Sequence, residues 1–546
     1  MAHNDTVENL VEEFTEQEEM REVFGCDIGN GFGFISLLQN PTSDPIPMFP
    51  AKYKLDAIGM PTSAYVAPPD GTSIEVFNKR PARSNHKREP EKFIHAVKTR
   101  LKEGIVELPG ISLPVSTDAI YSAIARDLIL LGNEERKNRG EAPIYDIVYT
   151  FPASFAKDIA LLNRMQNSIE RIRFGNRKVK VVGRLPEPAA VAIDYLYYMQ
   201  HIAPENVRLK EESCTVLVYD LGHGTFDTAV VTASSKGNPY QLYLHDGLPD
   251  VGGKDFDKIL YEEICRILKE EYDYIPQNDN ERETIHSTAT EIKHELTENE
   301  TASSSIFLPN GELVDIEITR SRFEELSRYL LNQTLELVEN MMQQANIDQI
   351  SIDAVVLSGG SSQMPMIKQG LSLLLEETLP IYMYRPSEAV SYGAARFAYS
   401  KRRKNKNHKK NTEQRKTLDT EQILDKFTEY SYGIWTPSKE KLAGAIEVMV
   451  KSKEKLPVES EWISFVSSSS RVVVRLYRSI KKYVTESIAD VEDCEELIRV
   501  PFEVLSNTEC EFKIVVLEDY NVKVLCRPLH GEVMEKSTSD MLGTLI

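Results

Sequence analysis

Between about Val23 and Ser400, apolar runs of strand length alternate with segments whose apolar residues recur at helical spacing. That alternation predicts an α/β architecture, with the runs buried as strands and the amphipathic segments packed over them. Upstream, residues 1–22 set Val7, Leu10, Val11 and Phe14 at helical spacing among many glutamates, which suits a short helix or a tail. From about Thr417 the texture changes. Runs rich in Val, Ile and aromatics cover Ala443–Val450, Trp462–Val466, Val472–Tyr477, Ile498–Val504, Phe512–Leu517 and Val522–Leu525. Turn-prone residues separate several of them, the pattern of a small antiparallel β-domain.

Two stretches of the α/β part repeat one another. Residues 23–31 read VFGCDIGNG and residues 216–224 read VLVYDLGHG. Each is an apolar strand ending in Asp, an apolar residue and Gly-x-Gly, and a further strand follows each (Phe34–Leu38 and Thr228–Val231). Glycines in such a turn let backbone N–H groups approach a phosphate, and an Asp at the strand end can hold Mg²⁺, usually through water. Two facing copies would clamp a polyphosphate between similar lobes. A third motif, VVLSGGS at 355–361, runs a strand into glycines ahead of a helical segment, Met366–Leu375. Backbone there can pass close to a ring or ribose.

Composition narrows the partners. The net charge of −20 opposes nonspecific binding to nucleic acid or to an anionic membrane. The stretch Lys401–Lys410, KRRKNKNHKK, concentrates like charge and reads as an exposed, solvated linker. The six cysteines form no C-x-x-C pair, so they read as buried thiols in a reducing compartment. The acidic start is not that of an ordinary signal peptide, and no apolar stretch has the length of a membrane span, so a cytoplasmic protein is expected.

With its motifs in this order, the chain resembles the seventy-kilodalton heat-shock chaperones, the DnaK-like family, in a divergent form. YTFPASF at 149–155, EPAAVA at 187–192, GGKDFD at 252–257, ITRSRFEEL at 318–326 and EAVSYGAA at 388–395 extend the resemblance over nearly all of residues 23–400. The resemblance implies an acidic extension at 1–22, then at 23–400 an actin-like, two-lobed ATPase domain of duplicated ribonuclease H-like halves. A basic linker at 401–416 and a β-rich, substrate-binding-like domain at 417–546 would follow. The family's helical lid is expected to be missing.

The family's roles transfer by position. Asp27 and Asp220 would hold Mg²⁺ through water. Gly29, Asn30, Gly31 and Phe32 would line the first phosphate loop, and Gly222, His223 and Gly224 the second. Lys98, Glu187, Asp220, Thr225 and Asp227 would serve hydrolysis, with Lys98 neutralising charge on the transferred phosphoryl group. Lys293, His294 and Thr297 would meet the adenosine, and Gly359, Gly360, Ser361, Ser362 and Gln363 would complete its pocket. ATP or ADP with Mg²⁺ is the implied ligand. Extended apolar peptides, J-domain proteins and nucleotide-exchange factors are the implied partners.

The departures concern the loops. The family usually carries hydroxyl residues where this chain has Asn30 and Gly31, and glycine where it has His223. Thr290 replaces the usual adenine-contacting acid, and Gln363 stands where eukaryotic members have an arginine. Slow hydrolysis is therefore expected. Toward the C-terminus, Ser431–Ile434, Ile446–Pro457 and Val472–Arg478 resemble the substrate domain more weakly. Gln422–Asp425 only loosely resembles the apolar interdomain linker, so docking of that linker is expected to bury little. A non-hydrolysing ATP-sensing scaffold and an actin-like filament protein remain the alternatives to a chaperone ATPase.

Overall fold

The structure, a computed structural model, describes residues 21–50, 59–68, 71, 73–76, 89–156, 158–201, 213–234, 240–347, 350–375, 379–402, 424–437, 444–480, 491–528 and 531–538. The helical pattern at 1–20 and most of the basic stretch lie outside these residues.

The fold is mixed α/β, and its two larger sheets share one plan. In the first, β1 (Phe24–Ile28) pairs antiparallel with β2 (Phe32–Leu37) and parallel with β3 (Asp146–Phe151). Strand β4 (Lys180–Pro186) extends the parallel side, and α1 (Glu187–His201) follows it at once. In the second sheet β5 (Ser213–Leu221) pairs antiparallel with β6 (Phe226–Ser234), which pairs with β7 (Tyr240–Leu248). Helices α2 (Gly253–Tyr272), α3 (Asp279–Glu298) and α4 (Arg320–Ile347) come next. Then β8 (Ala354–Ser358) and β9 (Ile381–Met383) extend the parallel side of β5. Helix α5 (Ala389–Ser400) closes this part of the chain.

Strands β1 and β8, apolar but for Asp27 and Ser358, are buried on both faces, as the central strands of a covered sheet must be. The covering helices are exchanged. Helix α1 leaves the first sheet and packs on β5 and β6 of the second, whereas α5 leaves the second and packs on β1, β3 and β2 of the first. The two helices also cross each other closely, with Gly393 of α5 against the Ala190 carbonyl of α1.

Strand β10 (Leu424–Lys426) adds to the outer edge of the second sheet, parallel to β7. Beyond it lie two antiparallel sheets. One contains Tyr432–Thr436, Ala445–Val450, Arg471–Ser479 and Cys494–Glu503; the other contains Val458–Glu459, Ile463–Val466, Glu509–Val516, Val522–Pro528 and Met534–Ser537. Their inner faces share one core around Ile434, Leu476, Phe502, Phe512 and Ile514.

Two expectations need correcting. Arg402, read as part of a solvated charge run, is buried and donates to the Leu38 carbonyl, while the Lys401 ammonium lies 4.9 Å from the centre of the Phe397 ring. Of the six cysteines, Cys265 and Cys494 are half-buried, not buried. Among the described residues no helix is long and apolar enough to cross a membrane.

Candidate functional site

The repeated motifs form two hairpins with the same turn. Gly29 N–H donates to the Phe32 carbonyl at 3.0 Å, and Gly222 N–H donates to the Thr225 carbonyl at 3.0 Å. Each turn sits one residue beyond a strand that delivers an aspartate, Asp27 from β1 and Asp220 from β5. Asp27 is held by Thr150, whose hydroxyl donates to Oδ1 at 3.0 Å. Asp220 has Asp227 as its register partner across the second hairpin. The Ser154 N–H donates to Asp227 Oδ1 at 3.3 Å, and the Thr225 hydroxyl also holds that carboxylate.

Lys98 rises between these acids from the short helical turn Val97–Arg100. Its ammonium lies 2.5 Å from Glu187 Oε1, at the start of α1, and 3.6 Å from Asp27 Oδ1. Burial alone would strip the proton from Lys98; the Glu187 and Asp27 carboxylates outweigh that effect and hold the ammonium charged. Burial pushes the Glu187 carboxyl up against the pull of Lys98, and it lifts Asp220 well above the usual carboxylate range. Burial also raises Asp227, to about 6, against its hydrogen bonds from Thr225 and Ser154. Four buried carboxyl groups crowd one ammonium, and a hard divalent cation would favour their ionised forms, a donor set that suits such an ion. Among the described residues no three His, Cys, Asp or Glu side chains converge to ligate a metal directly.

The two turns touch. Asn30 is buried, and its Oδ1 accepts from the Thr99 N–H at 3.2 Å, beside Lys98. Its amide lies against Gly224 of the other turn, where a Cβ would come within 2.4 Å of Nδ2. His223 reaches the opposite way: a Cβ on Gly31 would lie 3.2 Å from its ring Cγ. The two turns are thus complementary in bulk, since Gly31 leaves the space that the His223 ring fills across the cleft. The His223 ring still meets solvent at the cleft, while crowding and the nearby Lys293 ammonium lower its pKa toward about 4. Phe32, at the end of the first turn, is exposed.

The second turn is braced from behind. Gly253 N–H donates to the Gly222 carbonyl at 2.9 Å, and Lys254 N–H to the His223 carbonyl at 2.8 Å. Lys293, on α3, donates to the Gly253 carbonyl at 3.1 Å and pairs with Asp257 at 2.7 Å. A Cβ on Gly253 would lie 2.4 Å from Ser361 Oγ, which brings the third glycine motif to the same place. Gly359 has φ +81° and nests against the Leu221 carbonyl and Asp220. Gly360 opens to solvent, and the Ser362 hydroxyl accepts from Leu221 N–H at 3.1 Å.

Three expected adenosine-side residues are exposed or hold local hydrogen bonds. His294 is exposed, Thr297 spends its hydroxyl on the Lys293 carbonyl at 3.1 Å, and Gln363 donates to the Gly360 carbonyl at 3.2 Å. Sequence reasoning missed Thr150, Thr99 and Asp257 as supports. Thr150 and Asp257 lie inside the quoted segments YTFPASF and GGKDFD, where a polar residue among buried neighbours was the available signal.

Comparison with known proteins finds relatives over part of the chain. A family model described as "Hsp70 protein" matches residues 179–456. The chain is 33% identical over 194 residues to chaperone protein DnaK of Mesomycoplasma hyopneumoniae, covering 34% of this chain and 31% of that protein. It is 32% identical over 221 residues to a ribosome-associated molecular chaperone of Eremothecium gossypii, covering 40% and 34%. It is 30% identical over 255 residues to heat shock cognate 70 kDa protein 3 of Dictyostelium discoideum, covering 46% and 38%. In each case the chain spans only about a third of its relative's length.

Proposed function

The chain belongs to the Hsp70 protein family, and from that premise we propose that it is an ATP-binding molecular chaperone that hydrolyses ATP slowly and grips extended apolar peptide. In this reading residues 23–400 form a two-lobed, actin-like ATPase unit, and the two antiparallel sheets beyond Lys426 grip the peptide. J-domain proteins and nucleotide-exchange factors are the proposed partners, in the cytoplasm. The reading rests on one observation: two hairpins with the same closing bond bring Asp27 and Asp220 to a single buried cluster around Lys98.

The chain's own groups divide the work. Backbone N–H groups of the two turns bind phosphate oxygens. Asp27 and Asp220 orient the water shell of Mg²⁺, which when bound supplies positive charge to the phosphates. Lys98 is held by Glu187 and Asp27 beside the first turn, where it can balance charge on the outermost phosphate. Thr225 and Asp227 position the attacking water. Lys293, Gly360 and Ser361 bound the adenosine side.

Calorimetry with ATP tests this reading. Mg²⁺-dependent binding that weakens in Asp220→Ala supports it, and unchanged binding with and without Mg²⁺ overturns it. A second reading, an ATP-sensing scaffold without hydrolysis, is favoured by the tight packing of Asn30 on Gly224 and of His223 on Gly31. Single-turnover hydrolysis separates the two.

A further inference from the structure

A second site lies apart from the phosphate turns, and none of the candidate nucleotide residues lines it. It is a cavity of about 350 Å³ where six parts of the chain meet: the helix Ile159–Glu170 through Gln166, β4, the end of α5, strand β10, Pro457 and the loop at 517–519. That volume lies within the range of small-molecule sites.

Its charge is unevenly distributed. Arg184 and Lys426 are buried in its floor, and Lys401 stands nearer the rim. Two acids face them, Glu518 and Asp519, and both are more than a third exposed. Lys401 lies 3.6 Å from Glu518 Oε2, and Arg184 Nη2 lies 3.9 Å from Asp519 Oδ2. Lys426 has no carboxylate within 4 Å among the described residues; its ammonium donates to the Arg184 carbonyl at 3.3 Å and the Glu518 carbonyl at 3.1 Å. Arg184 donates from Nη1 to Asn163 Oδ1 at 3.2 Å and from Nη2 to the Asp519 carbonyl, while its buried Nε–H has no hydrogen-bond partner among the described residues. Three cations thus face two carboxylates, and the surplus sits on the dry side. A joint built only for packing would be expected to pair or omit such groups, because a buried N–H without an acceptor costs its full desolvation.

We propose that this cavity binds a small phosphate-bearing anion, with the oxyanion seated on Arg184, Lys401 and Lys426 and any organic portion lying along Phe397. The ring is already the neighbour of both lysines, 4.9 Å from Lys401 Nζ and 6.0 Å from Lys426 Nζ. An occupant bridges β4, α5 and β10, so it binds the docked arrangement of the linker strand and raises its population. The seat is independent of the nucleotide reading, because it shares no residue with the two turns.

The test is calorimetry on the full chain at fixed ionic strength, with glycerol 3-phosphate and inorganic phosphate as probes. The expected result is one-site binding that falls at least tenfold in Lys426→Gln and in Lys401→Gln and is untouched by Asp220→Ala. Tighter binding of glycerol 3-phosphate places an organic arm in the cavity; tighter binding of inorganic phosphate makes the free ion the ligand. Affinity is also expected to fall as pH rises from 7 to 9. Burial, reinforced by Lys401, depresses the Lys426 ammonium to about 7, and the charged groups facing it are Arg184, Lys401, Glu518 and Asp519. No heat at millimolar probe, binding indifferent to both lysine variants, or binding abolished by Asp220→Ala would overturn the site. Lys401 is partly exposed, so its variant answers the question even if Lys426→Gln fails to fold.

Discussion

Gly25 of β1 and Val218 of β5 hold the same place in the two copies of the repeat, yet they meet their covering helices differently. Val218 is fully buried in a core it shares with Ala189 and Ala190 of α1. At Gly25 there is no room for any side chain, because a Cβ would lie 2.2 Å from the backbone N of Ala395 in α5. Helix α5 is then gripped again on its other flank, where a Cβ on Gly393 would lie 1.8 Å from the Ala190 carbonyl. The two sheets share strand order and turn geometry but differ in these contacts. One crossing helix is cushioned by side chains; the other rests backbone on backbone.

The largest expected effects follow from that asymmetry. Gly25→Ala and Gly393→Ala each force backbone apart, and overpacking of this kind costs about 3 kcal/mol or more. Val218→Ala, at the matching position, removes two methyls and costs roughly 2 kcal/mol. Thermal unfolding of the three variants measures the difference, and equal losses at Gly25 and Val218 would break the comparison.

Lys98 stands beside the first turn, paired with Glu187 and Asp27. Lys98→Met is expected to slow single-turnover hydrolysis by about 10²–10³ while leaving ATP binding close to wild type. Equal losses of binding and turnover would make Lys98 a fastening for Glu187 and nothing more.

The turns come next. Gly31→Thr pushes into the His223 ring and is expected to weaken nucleotide binding about tenfold, or ~1.4 kcal/mol. The double variant with His223→Gly should recover it, and a double-mutant cycle reads the coupling. If Gly31→Thr by itself binds normally, the exchange of bulk across the cleft is incidental.

The smallest effect separates the two sheet edges, since β10 belongs to the second sheet alone. Lys426 is depressed from its usual 10.5 to about 7 when β10 is seated. The seated state therefore binds fewer protons than the released one between these values. Docking should strengthen as pH rises through that window, by at most ~1.4 kcal/mol per pH unit, and level off below 7. Fluorescence transfer between labels on the two sides of the linker, in phosphate-free buffer, follows it. A slope that persists in Lys426→Met would assign the effect elsewhere.

The hairpins were legible in the sequence because everything that makes them is local: an apolar strand, its terminal Asp and a glycine turn within nine residues. The exchange of α1 and α5 was not, since which sheet a helix covers depends on contacts far away in the chain. The burial of Arg402 was hidden by its neighbours, because a dense basic run reads as solvated until a carbonyl such as that of Leu38 is known to lie beside it. The fit of His223 to Gly31 was equally invisible, because each departure looks like a loss until the two turns are seen in contact. The seat of the linker strand was not legible because it uses ladder hydrogen bonds and a buried ammonium, which an apolar count ignores.

Strand β10 also caps an edge. Seated, its short parallel ladder covers Tyr240, Gln241 and Leu242 of β7. Released, it leaves the outer row of amides and carbonyls on a nine-residue strand without partners, and such a row is a template for any extended chain that arrives. The linker is thus also a stopper against self-association, and every condition that unseats it should make the protein stickier toward its own copies in proportion to concentration.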